Sequence, residues 1–270
     1  MSVTSRILGR YRTMHEQAGE LHGPYMLAPL HRKSPLLLRR RLRAFGVSGA
    51  GLFLRELERD GIHARVDAAV AEYCVLAPQF APGPGSVYPA EGALLYGLVR
   101  ALQPTVAIET GTASGISTIY LLAALQRNGG GRLISIDLPF EAGVGQELRP
   151  LIAGTSIDLE DSSPLPQGKE AGWAVPEELR RRWELRLGNA RELLPATLAE
   201  VGEIDLFFHD SLHSRDHMLF EFETAWPRLT PDGFLVADDI FQRRHDALPA
   251  FARRVGRRFS TFGNLGLIRK

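Results

Sequence analysis

The sequence predicts an α/β fold, in which helices cover both faces of a doubly wound, mostly parallel sheet. Three observations predict it. Strand-like and helix-like runs alternate from residue 105 onwards. A glycine-bounded turn joins the first of these strands to a helix. The composition, with 44% hydrophobic and 23% charged residues in a chain of 270, is that of a globular protein large enough for one domain with extensions.

The alternating part of the chain predicts its elements by their hydrophobic spacing. Short runs rich in apolar and β-branched residues predict strands at Thr105–Gly111, Arg132–Asp137, Trp183–Leu187, Ile204–His209 and Gly233–Ala237. Apolar residues at helical spacing predict helices at Gly115–Gln126, Ala190–Val201, Ser214–Leu229 and Ala247–Arg257. Alternating strands and helices favour parallel pairing. Two closing runs predict an antiparallel terminal hairpin, Phe259–Phe262 with Leu265–Arg269.

The first 87 residues predict a helical arm or lid, and residues 88–270 predict the main domain. A proline- and glycine-rich linker at Pro78–Gly85 follows helix-like patches at Leu36–Phe45, Leu52–Arg59 and Val66–Tyr73. The arm is basic, because residues 1–65 hold 12 Lys and Arg against 5 Asp and Glu. Such charges can contact phosphates, but they are also typical of the solvated face of an amphipathic helix.

Residues 140–182, between the second and third predicted strands, form an insert that is too long for an ordinary connecting loop. They mix glycines, prolines and acids around one helix-like run at Glu177–Arg182. Long loops are often functional, and open α/β sheets bind ligands at the carboxyl ends of their strands. We therefore expect the insert to form a substrate lid over those strand ends.

The strongest local pattern is the run from Ile108 to Gly115, where a strand ends in an acid and a turn leads into a helix. Gly111 permits a tight turn, and Gly115 begins a helix whose free amides attract polar ligand groups. The two glycines lie four residues apart, unlike the G-x-G-x-x-G pattern of dinucleotide-binding proteins. Glu109 would repel a pyrophosphate and favour a cationic amino-acid group, which indicates S-adenosylmethionine. A purely structural turn is the alternative.

Asp137 ends the second predicted strand, where its carboxylate can accept hydrogen bonds from two ribose hydroxyls. The run from Gly188 to Ala190 predicts a loop on the adenine side, and His209 is either structural or a wall of the methyl-donor pocket. The sequence therefore predicts a nucleoside site made of Glu109, Gly111, Thr112, Ala113, Ser114, Gly115, Ser117, Asp137, Asn189, Ala190 and His209.

Acidic residues follow the fourth and fifth predicted strands. Asp210 follows one strand, and Asp238 and Asp239 follow the next. Three carboxylates at one edge of a sheet repel each other unless a cation joins them, and oxygen ligands of this kind suit Mg²⁺. His213 lies three residues beyond Asp210 and could accept a substrate proton, so both are catalytic candidates. We expect His217, on the following helix, to face solvent.

These patterns taken together resemble class I S-adenosylmethionine methyltransferases. The resemblance rests on Glu109–Gly115, Asp137, Asp205–His213, Leu229–Gly233 and the pair Asp238-Asp239. It covers residues 88–270 and looks most like the group that contains macrocin O-methyltransferase and cephalosporin-hydroxylase-type proteins, with catechol O-methyltransferase more distant. It implies a Rossmann-like sheet, bound S-adenosylmethionine and a divalent cation on Asp210, Asp238 and Asp239. The catalytic lysine of the catechol enzyme aligns with His213, and this departure leaves the identity of the base open.

The sequence therefore predicts an S-adenosylmethionine-dependent, Mg²⁺-assisted O-methyltransferase for a hydroxylated small molecule, such as a sugar, a phenol or a natural-product scaffold. Two alternatives stay open, a nucleic-acid methyltransferase that uses the basic arm and a nucleoside-binding module without turnover. We do not expect nucleic acid, because residues 210–212 read Asp-Ser-Leu and not the Asn/Asp-Pro-Pro-aromatic motif of base-amino methyltransferases. A single cysteine and the lack of any apolar run of membrane-spanning length predict a cytoplasmic protein with no membrane partner. A homo-oligomer is left open.

Overall fold

A seven-stranded sheet forms the centre of the fold. The structure, a computed structural model, describes residues 39–40, 42–43, 46–77, 87–142, 148–150, 164–240 and 246–270, with only the backbone of 141–142 and 148–150. In chain order the strands are β1 Val106–Thr110, β2 Arg132–Asp137, β3 Phe140–Ala142, β4 Leu148–Pro150, β5 Trp183–Leu187, β6 Ile204–His209, β7 Leu229–Ala237, β8 Phe259–Phe262 and β9 Leu265–Arg269.

The strand order across the sheet is β5-β2-β1-β6-β7-β9-β8. The strands from β5 to β7 in this order pair in parallel, whereas β9 pairs antiparallel with β7 and β8 antiparallel with β9. In the insert, β3 and β4 form a separate antiparallel pair. The chain leaves β1 for β2 on one side and later returns to β6 on the other, which makes the sheet doubly wound. The predicted fold class, including the C-terminal antiparallel hairpin, is confirmed.

Helices connect the strands and cover both faces of the sheet. They are α1 Ala50–Arg59, α2 Ile62–Leu76, α3 Pro89–Leu102, α4 Ile116–Asn128, α5 Ala190–Val201, α6 Arg215–Ala225 and α7 Ala247–Arg254, and short 3-10 helices span Glu177–Arg182 and Trp226–Arg228. Side chains satisfy free amides at helix starts. Glu91 Oε2 accepts the Tyr88 N–H at 2.8 Å before α3, and Asn189 Oδ1 accepts the Arg191 N–H at 2.9 Å before α5.

The hydrophobic core has two halves, one on each face of the sheet. One half joins the sheet to helices α1 to α4, with Leu57 and Leu121 fully buried in it. The other half joins the sheet to helices α5 to α7, with Phe222 fully buried. Successive residues of a strand point to opposite faces, so Phe207 belongs to the second half and Phe208 to the first. Because α1 and α2 contribute to the first half, this part of the arm packs on the main domain.

A buried ion pair also ties α1 to α3. Arg100 donates to both carboxylate oxygens of Glu56, at 2.8 and 3.0 Å, and the Tyr96 hydroxyl donates to one of them at 3.1 Å. The hydrogen bonds from Arg100 lower the pKa of Glu56. Charge therefore adds to apolar contact in holding the described arm residues in place.

The largest boundary errors of the sequence analysis lie around β7. The helix predicted over Ser214–Leu229 ends at Ala225, because Pro227 cannot continue the hydrogen bonding of an α-helix and disfavours it at the residue before. β7 begins at Leu229, before the turn-like run 230–233, which lies inside the strand as an irregularity where Asp232 has a φ of +68°.

Some predictions lie outside the described residues. They include the linker Pro78–Gly85, parts of the patch Leu36–Phe45 and much of the first half of the insert. None of the helices that the structure describes combines the length and the apolar character that crossing a bilayer requires.

Candidate functional site

The carboxyl ends of β1, β2, β6 and β7 meet at one edge of the sheet. Thr110 of β1 lies beside Ile136 of β2 and His209 of β6, and His209 lies beside Ala237 of β7. The segments that follow these strands are therefore neighbours, and we call this edge the strand-end rim. Its members are the turn Gly111–Gly115, Asp137, Asp210, Asp238 and Asp239.

The turn after β1 packs tightly against the tip of β6. Gly111 has a φ of +83°, its N–H donates to the carbonyl oxygen of Ile136 at 2.8 Å, and a Cβ at this position would lie 1.9 Å from the carbonyl oxygen of Asp210. Ala113 has a φ of +43°, which is uncommon for a residue with a side chain. Chain packing alone therefore requires a glycine at 111, independently of any ligand.

Glu109, which the sequence analysis assigns to a cationic ligand group, is fully buried. Its carboxylate accepts hydrogen bonds from Ser117 Oγ at 2.6 Å, Thr118 Oγ1 at 2.8 Å and Ser135 Oγ at 2.6 Å. Burial raises the pKa of Glu109 to about 7, against the opposing effect of the three hydroxyls. Glu109 and Ser117 thus tie α4 to β1 and β2, and their contact with a ligand stays a prediction.

Asp137 presents an unpartnered oxygen beside the turn. Its Oδ1 accepts a hydrogen bond from the Thr112 N–H at 3.0 Å, whereas its Oδ2 is buried without a hydrogen-bond partner in the described part of the chain. The Thr112 hydroxyl oxygen is also buried and unpartnered there. Burial raises the pKa of Asp137 to about 6. Because unpaired buried polar atoms are costly, this pair of side chains is suited to the hydroxyl groups of a ligand.

The raised pKa values predict that the ligand-free protein loses stability as pH rises. A carboxyl with a higher pKa when folded holds its proton more tightly than the unfolded chain does, so its contribution is complete at low pH and is lost as pH rises through the folded pKa. For Glu109 the window runs from 4.5 to about 7, and for Asp137 from 3.8 to about 6. Each group can lower the unfolding free energy by at most about 1.4 kcal/mol per pH unit within its window.

Urea unfolding at several pH values measures this slope. The unfolding free energy of Glu109→Gln is expected to fall less steeply with pH than that of wild type between pH 4.5 and about 7, because the amide does not titrate. Glu177→Gln, whose side chain is 93% exposed, is the matched control and is expected to keep the wild-type slope. Equal slopes in all three proteins would contradict the assignment.

The predicted adenine-side residues contact the chain itself. Asn189 caps α5 through its side-chain oxygen. Ala190 is buried in the half of the core that lies between the sheet and helices α5 to α7. Gly188 N–H donates to the carbonyl oxygen of Asp137 at 2.8 Å, which places this loop next to the rim. A contact of Asn189 or Ala190 with a ligand stays a prediction.

The insert contributes a residue that the sequence analysis did not identify. Trp173 Nε1 donates to Ser114 Oγ at 3.1 Å, and Ser114 is buried in the turn. A Cβ on Gly115, whose φ is +91°, would lie 2.6 Å from Val175 Cγ2. The absence of a side chain at 115 therefore lets the insert lie directly on the turn. No local sequence pattern indicates this contact.

The three predicted metal ligands lie together at the rim. The carboxyl groups of Asp210 and Asp238 hydrogen-bond to each other, and burial together with neighbouring carboxylate charges raises both pKa values well above the ordinary range. Asp239 has a φ of +51°, and its Oδ1 accepts a hydrogen bond from Asn264 Nδ2 at 3.2 Å. Across the ranges that the structure describes, no three His, Cys, Asp or Glu side chains converge on a common point as metal ligands do.

The donor chemistry of this acidic set nevertheless fits a divalent cation. The hydrogen bond between the carboxyl groups of Asp210 and Asp238 requires a proton on one of them, and their mutual repulsion raises the pKa of both. A cation would relieve the same repulsion, and hard oxygen ligands are those that Mg²⁺ prefers. Occupation would require Asp210 and Asp238 to give up their mutual hydrogen bond.

His213 lies at the rim beside Asp210. The two side chains are buried, with His213 Nε2 3.8 Å from Asp210 Oδ1. The His213 ring packs edge-on against His209, and the ring centroids are 5.4 Å apart. The structure thus brings together the two residues that the sequence analysis names as catalytic.

Glu221 of α6 is a fully buried carboxylate that was not predicted from the sequence. It lies 2.6 Å from His209 Nδ1 and 2.9 Å from His217 Nε2, and it accepts hydrogen bonds from Thr110 Oγ1 at 2.6 Å and Ser211 Oγ at 2.9 Å. Burial raises the pKa of Glu221, but the charges and hydrogen bonds of His209 and His217 outweigh it and hold the pKa well below its usual range.

The expectation that His217 faces solvent is wrong, because its ring is buried against Glu221 one helical turn away. The four-residue spacing of the two side chains on α6 was the available signal, since such pairs share a helix face. Glu221 therefore joins β1, β6 and α6 beneath the strand-end rim.

The doubly wound sheet, with its glycine turn and strand-end acids, defines the class of protein: this is the fold of class I methyltransferases. An O-methyltransferase from Bacillus cereus, solved in complex with SAH, shares it, with a TM-score of 0.50 and 18% sequence identity over 77% of this chain and 91% of that one.

The sequence matches agree with this class. Residues 108–240, just under half of the chain, match a family model described as a methyltransferase domain. Two proteins of Mycobacterium sp., from strains KMS and JLS, whose names provisionally assign them as O-methyltransferases, are 34% and 33% identical over 88 residues. These matches cover 28% of this chain and 39% of each relative, so the matched part is well under half the length of those relatives. The predicted resemblance to class I methyltransferases is confirmed.

Proposed function

We propose that the protein is an S-adenosylmethionine-dependent O-methyltransferase that acts on a hydroxyl group of a small molecule. The observation that carries the proposal is the unpartnered, buried Asp137 Oδ2 next to the unpartnered Thr112 hydroxyl. A free carboxylate oxygen accepts a hydrogen bond from a ribose hydroxyl, and a threonine hydroxyl can both donate and accept. The methyltransferase family model and the names of the mycobacterial relatives support methyl transfer to oxygen. The Bacillus cereus protein was solved with SAH, S-adenosylhomocysteine, which is the demethylated product of this cofactor.

In this proposal the cofactor lies against the turn Gly111–Gly115, with its ribose hydroxyls on Asp137. Glu109 and Ser117 support this site indirectly, because their mutual hydrogen bond holds the start of α4 against the sheet. Asn189 and the residue after it shape the adenine side through the start of α5. His209 supports the tip of β6 through its contact with Glu221 and is a wall of the pocket.

Calorimetric titration with SAH tests the nucleoside site. Asp137→Asn is expected to weaken SAH binding by about 1–3 kcal/mol, because an amide replaces the charged acceptor of a hydroxyl hydrogen bond. Asp232→Asn makes the same chemical change at the opposite end of the sheet, where Asp232 is exposed, and is expected to bind SAH as wild type does. Wild-type affinity in Asp137→Asn would refute the ribose assignment.

We also propose that a divalent cation assists the reaction at Asp210, Asp238 and Asp239. The support for this proposal is chemical, since burial and neighbouring carboxylate charges raise the pKa of Asp210 and Asp238 and disfavour their charged forms without a cation. When bound, the cation would orient the acceptor oxygen and stabilise its negative charge. Asn264 hydrogen-bonds to Asp239 and thereby restrains its side chain.

The acceptor hydroxyl is proposed to approach the rim near Asp210 and His213. His213 would take the hydroxyl proton on a ring nitrogen as the acceptor oxygen bonds to the sulfonium methyl and the methyl–sulfur bond breaks. Orientation of the acceptor towards the methyl group would provide most of the rate gain. A transfer assay with labelled S-adenosylmethionine and a panel of phenols and sugars separates an enzyme from a module that binds SAH without turnover.

A further inference from the structure

Three hydrogen bonds join consecutive residues of the insert to the turn after β1. Gly172 N–H donates to the carbonyl oxygen of Ala113 at 2.7 Å, and Ala174 N–H donates to that of Ser114 at 3.1 Å. Between them, Trp173 Nε1 donates to the Ser114 hydroxyl at 3.1 Å. We call residues 172–174 the turn clamp.

The same part of the insert is anchored to α2 of the arm. The buried hydroxyl of Tyr73 donates to the carbonyl oxygen of Pro164 at 3.0 Å, and Lys169 pairs with Glu72 at 2.8 Å. The Lys169 ammonium also lies 4.4 Å from the centre of the Trp173 ring, a distance at which a cation is attracted to an aromatic face. Contacts with α2 of the arm therefore help to hold the turn clamp in place.

We propose that Trp173 is a positioning residue of the cofactor site, which acts through Ser114, and that the turn clamp is a stationary wall of that site. This inference rests on the proposed function, because it takes the turn to be where S-adenosylmethionine binds.

The conformation of the turn gives the first reason. Ala113 has a left-handed φ of +43°, which is strained for a residue with a Cβ and persists only where neighbouring contacts hold it. The hydrogen bond from Gly172 holds the carbonyl oxygen of Ala113. Without the clamp, the turn would relax towards a conformation that no longer places its side chains for a ligand.

The hydrogen-bond inventory of Ser114 gives the second reason. Its oxygen accepts the Trp173 N–H, so the hydroxyl hydrogen points elsewhere. Ser114 is buried, yet this hydrogen has no acceptor among the residues that the structure describes. Trp173 thus fixes Ser114 as a donor, and a ligand oxygen is the partner that such a donor requires.

Calorimetric titration with SAH tests the role of Trp173. Trp173→Phe keeps an aromatic ring for Lys169 but removes the N–H, and we expect SAH binding to weaken about three- to tenfold, the effect of one hydrogen bond. Trp226→Phe is the matched control. Trp226 is also half-buried, it packs against Phe251 on the other face of the sheet, and its indole N–H makes no hydrogen bond within the described residues. We expect this control to bind SAH as wild type does.

A double-mutant cycle shows whether Trp173 acts through Ser114. Ser114→Ala is expected to weaken SAH binding, and adding Trp173→Phe to it is expected to cause no further loss, because the shared interaction is already gone. Circular dichroism confirms that each variant is folded under the conditions of the titration. Equal SAH affinity in wild type and Trp173→Phe, or fully additive losses in the cycle, would overturn the inference alone. Failure of wild type to bind SAH would overturn the proposed function and this inference with it.

Discussion

Replacing Gly111 by alanine is expected to destabilise the folded protein by about 3 kcal/mol or more, the sum of a steric clash and a left-handed backbone. The added Cβ would lie 1.9 Å from the carbonyl oxygen of Asp210, which is backbone and cannot swing away. Relief would require the turn after β1 to move away from the tip of β6, and the hydrogen bond to Ile136 would be lost with it. Urea unfolding measures the change.

Gly129→Ala separates the two contributions. Gly129 has a φ of +74°, close to the +83° of Gly111, but a Cβ there would meet nothing within 4 Å. We expect it to cost only about 1 kcal/mol, which is the backbone strain without the clash. Similar losses in both variants would mean that the contact between the turn and β6 is not tight in solution.

Removal of divalent cations is expected to abolish methyl transfer, and Mg²⁺ is expected to restore it. The reason is that the acceptor oxygen would otherwise approach the buried acids Asp210 and Asp238 without a positive charge to hold it. Turnover is measured with labelled S-adenosylmethionine and whichever phenol or sugar of the panel accepts the label, in excess chelator and after Mg²⁺ is added back.

Direct titration with Mn²⁺ provides a measurement that does not depend on turnover. Asp210→Asn is expected to weaken Mn²⁺ binding about tenfold or more, and to lower turnover at least as much, because it removes one charged ligand. Binding of SAH without metal is expected to stay at the wild-type level, since the proposed cation would contact the acceptor and not the nucleoside. Asp232→Asn serves again as the control. Full activity in excess chelator would refute the metal proposal, and His213 would then have to activate the acceptor unaided.

Most of the sheet could be predicted from hydrophobic spacing. The bounds of β2, β5, β6, β8 and β9 agree with the predicted runs. For β2 and β6 the reason is that buried strands of a parallel sheet are short apolar segments between polar ones. The start of β7 could not be predicted, since local turn residues argued against a strand at Leu229. Leu229 belongs to the strand because it pairs with Ile204 of β6, and this contact between distant parts of the chain leaves no local sequence signal.

The candidate site likewise has residues that could be predicted from the sequence and residues that could not. The rim residues that end or follow strands, such as Asp137 and Asp210, could be predicted because parallel strands end at one edge. The supporting residues could not, because their contacts span long stretches of chain. Glu221 and Thr110 are hydrogen-bonded although they lie 111 residues apart in the sequence, and Trp173 and Ser114 although they lie 59 residues apart. No periodicity or motif connects positions so far apart.

The opposite pKa shifts of Asp137 and Glu221 have a practical consequence for handling the protein. Burial raises the pKa of Asp137 to about 6, so in the proposed ribose site this carboxyl would accept ribose hydroxyls less well as pH falls below that value. Glu221 has a lowered pKa, so the stability it contributes is present above its ordinary value of 4.5 and is lost only as pH falls through its much lower folded value. Between these limits we expect the proposed ribose site to be weakened while Glu221 keeps its charge and its contacts with β1 and β6. Mild acid is therefore expected to release a co-purified nucleoside from the proposed site and leave the protein folded, ready to be reloaded at neutral pH.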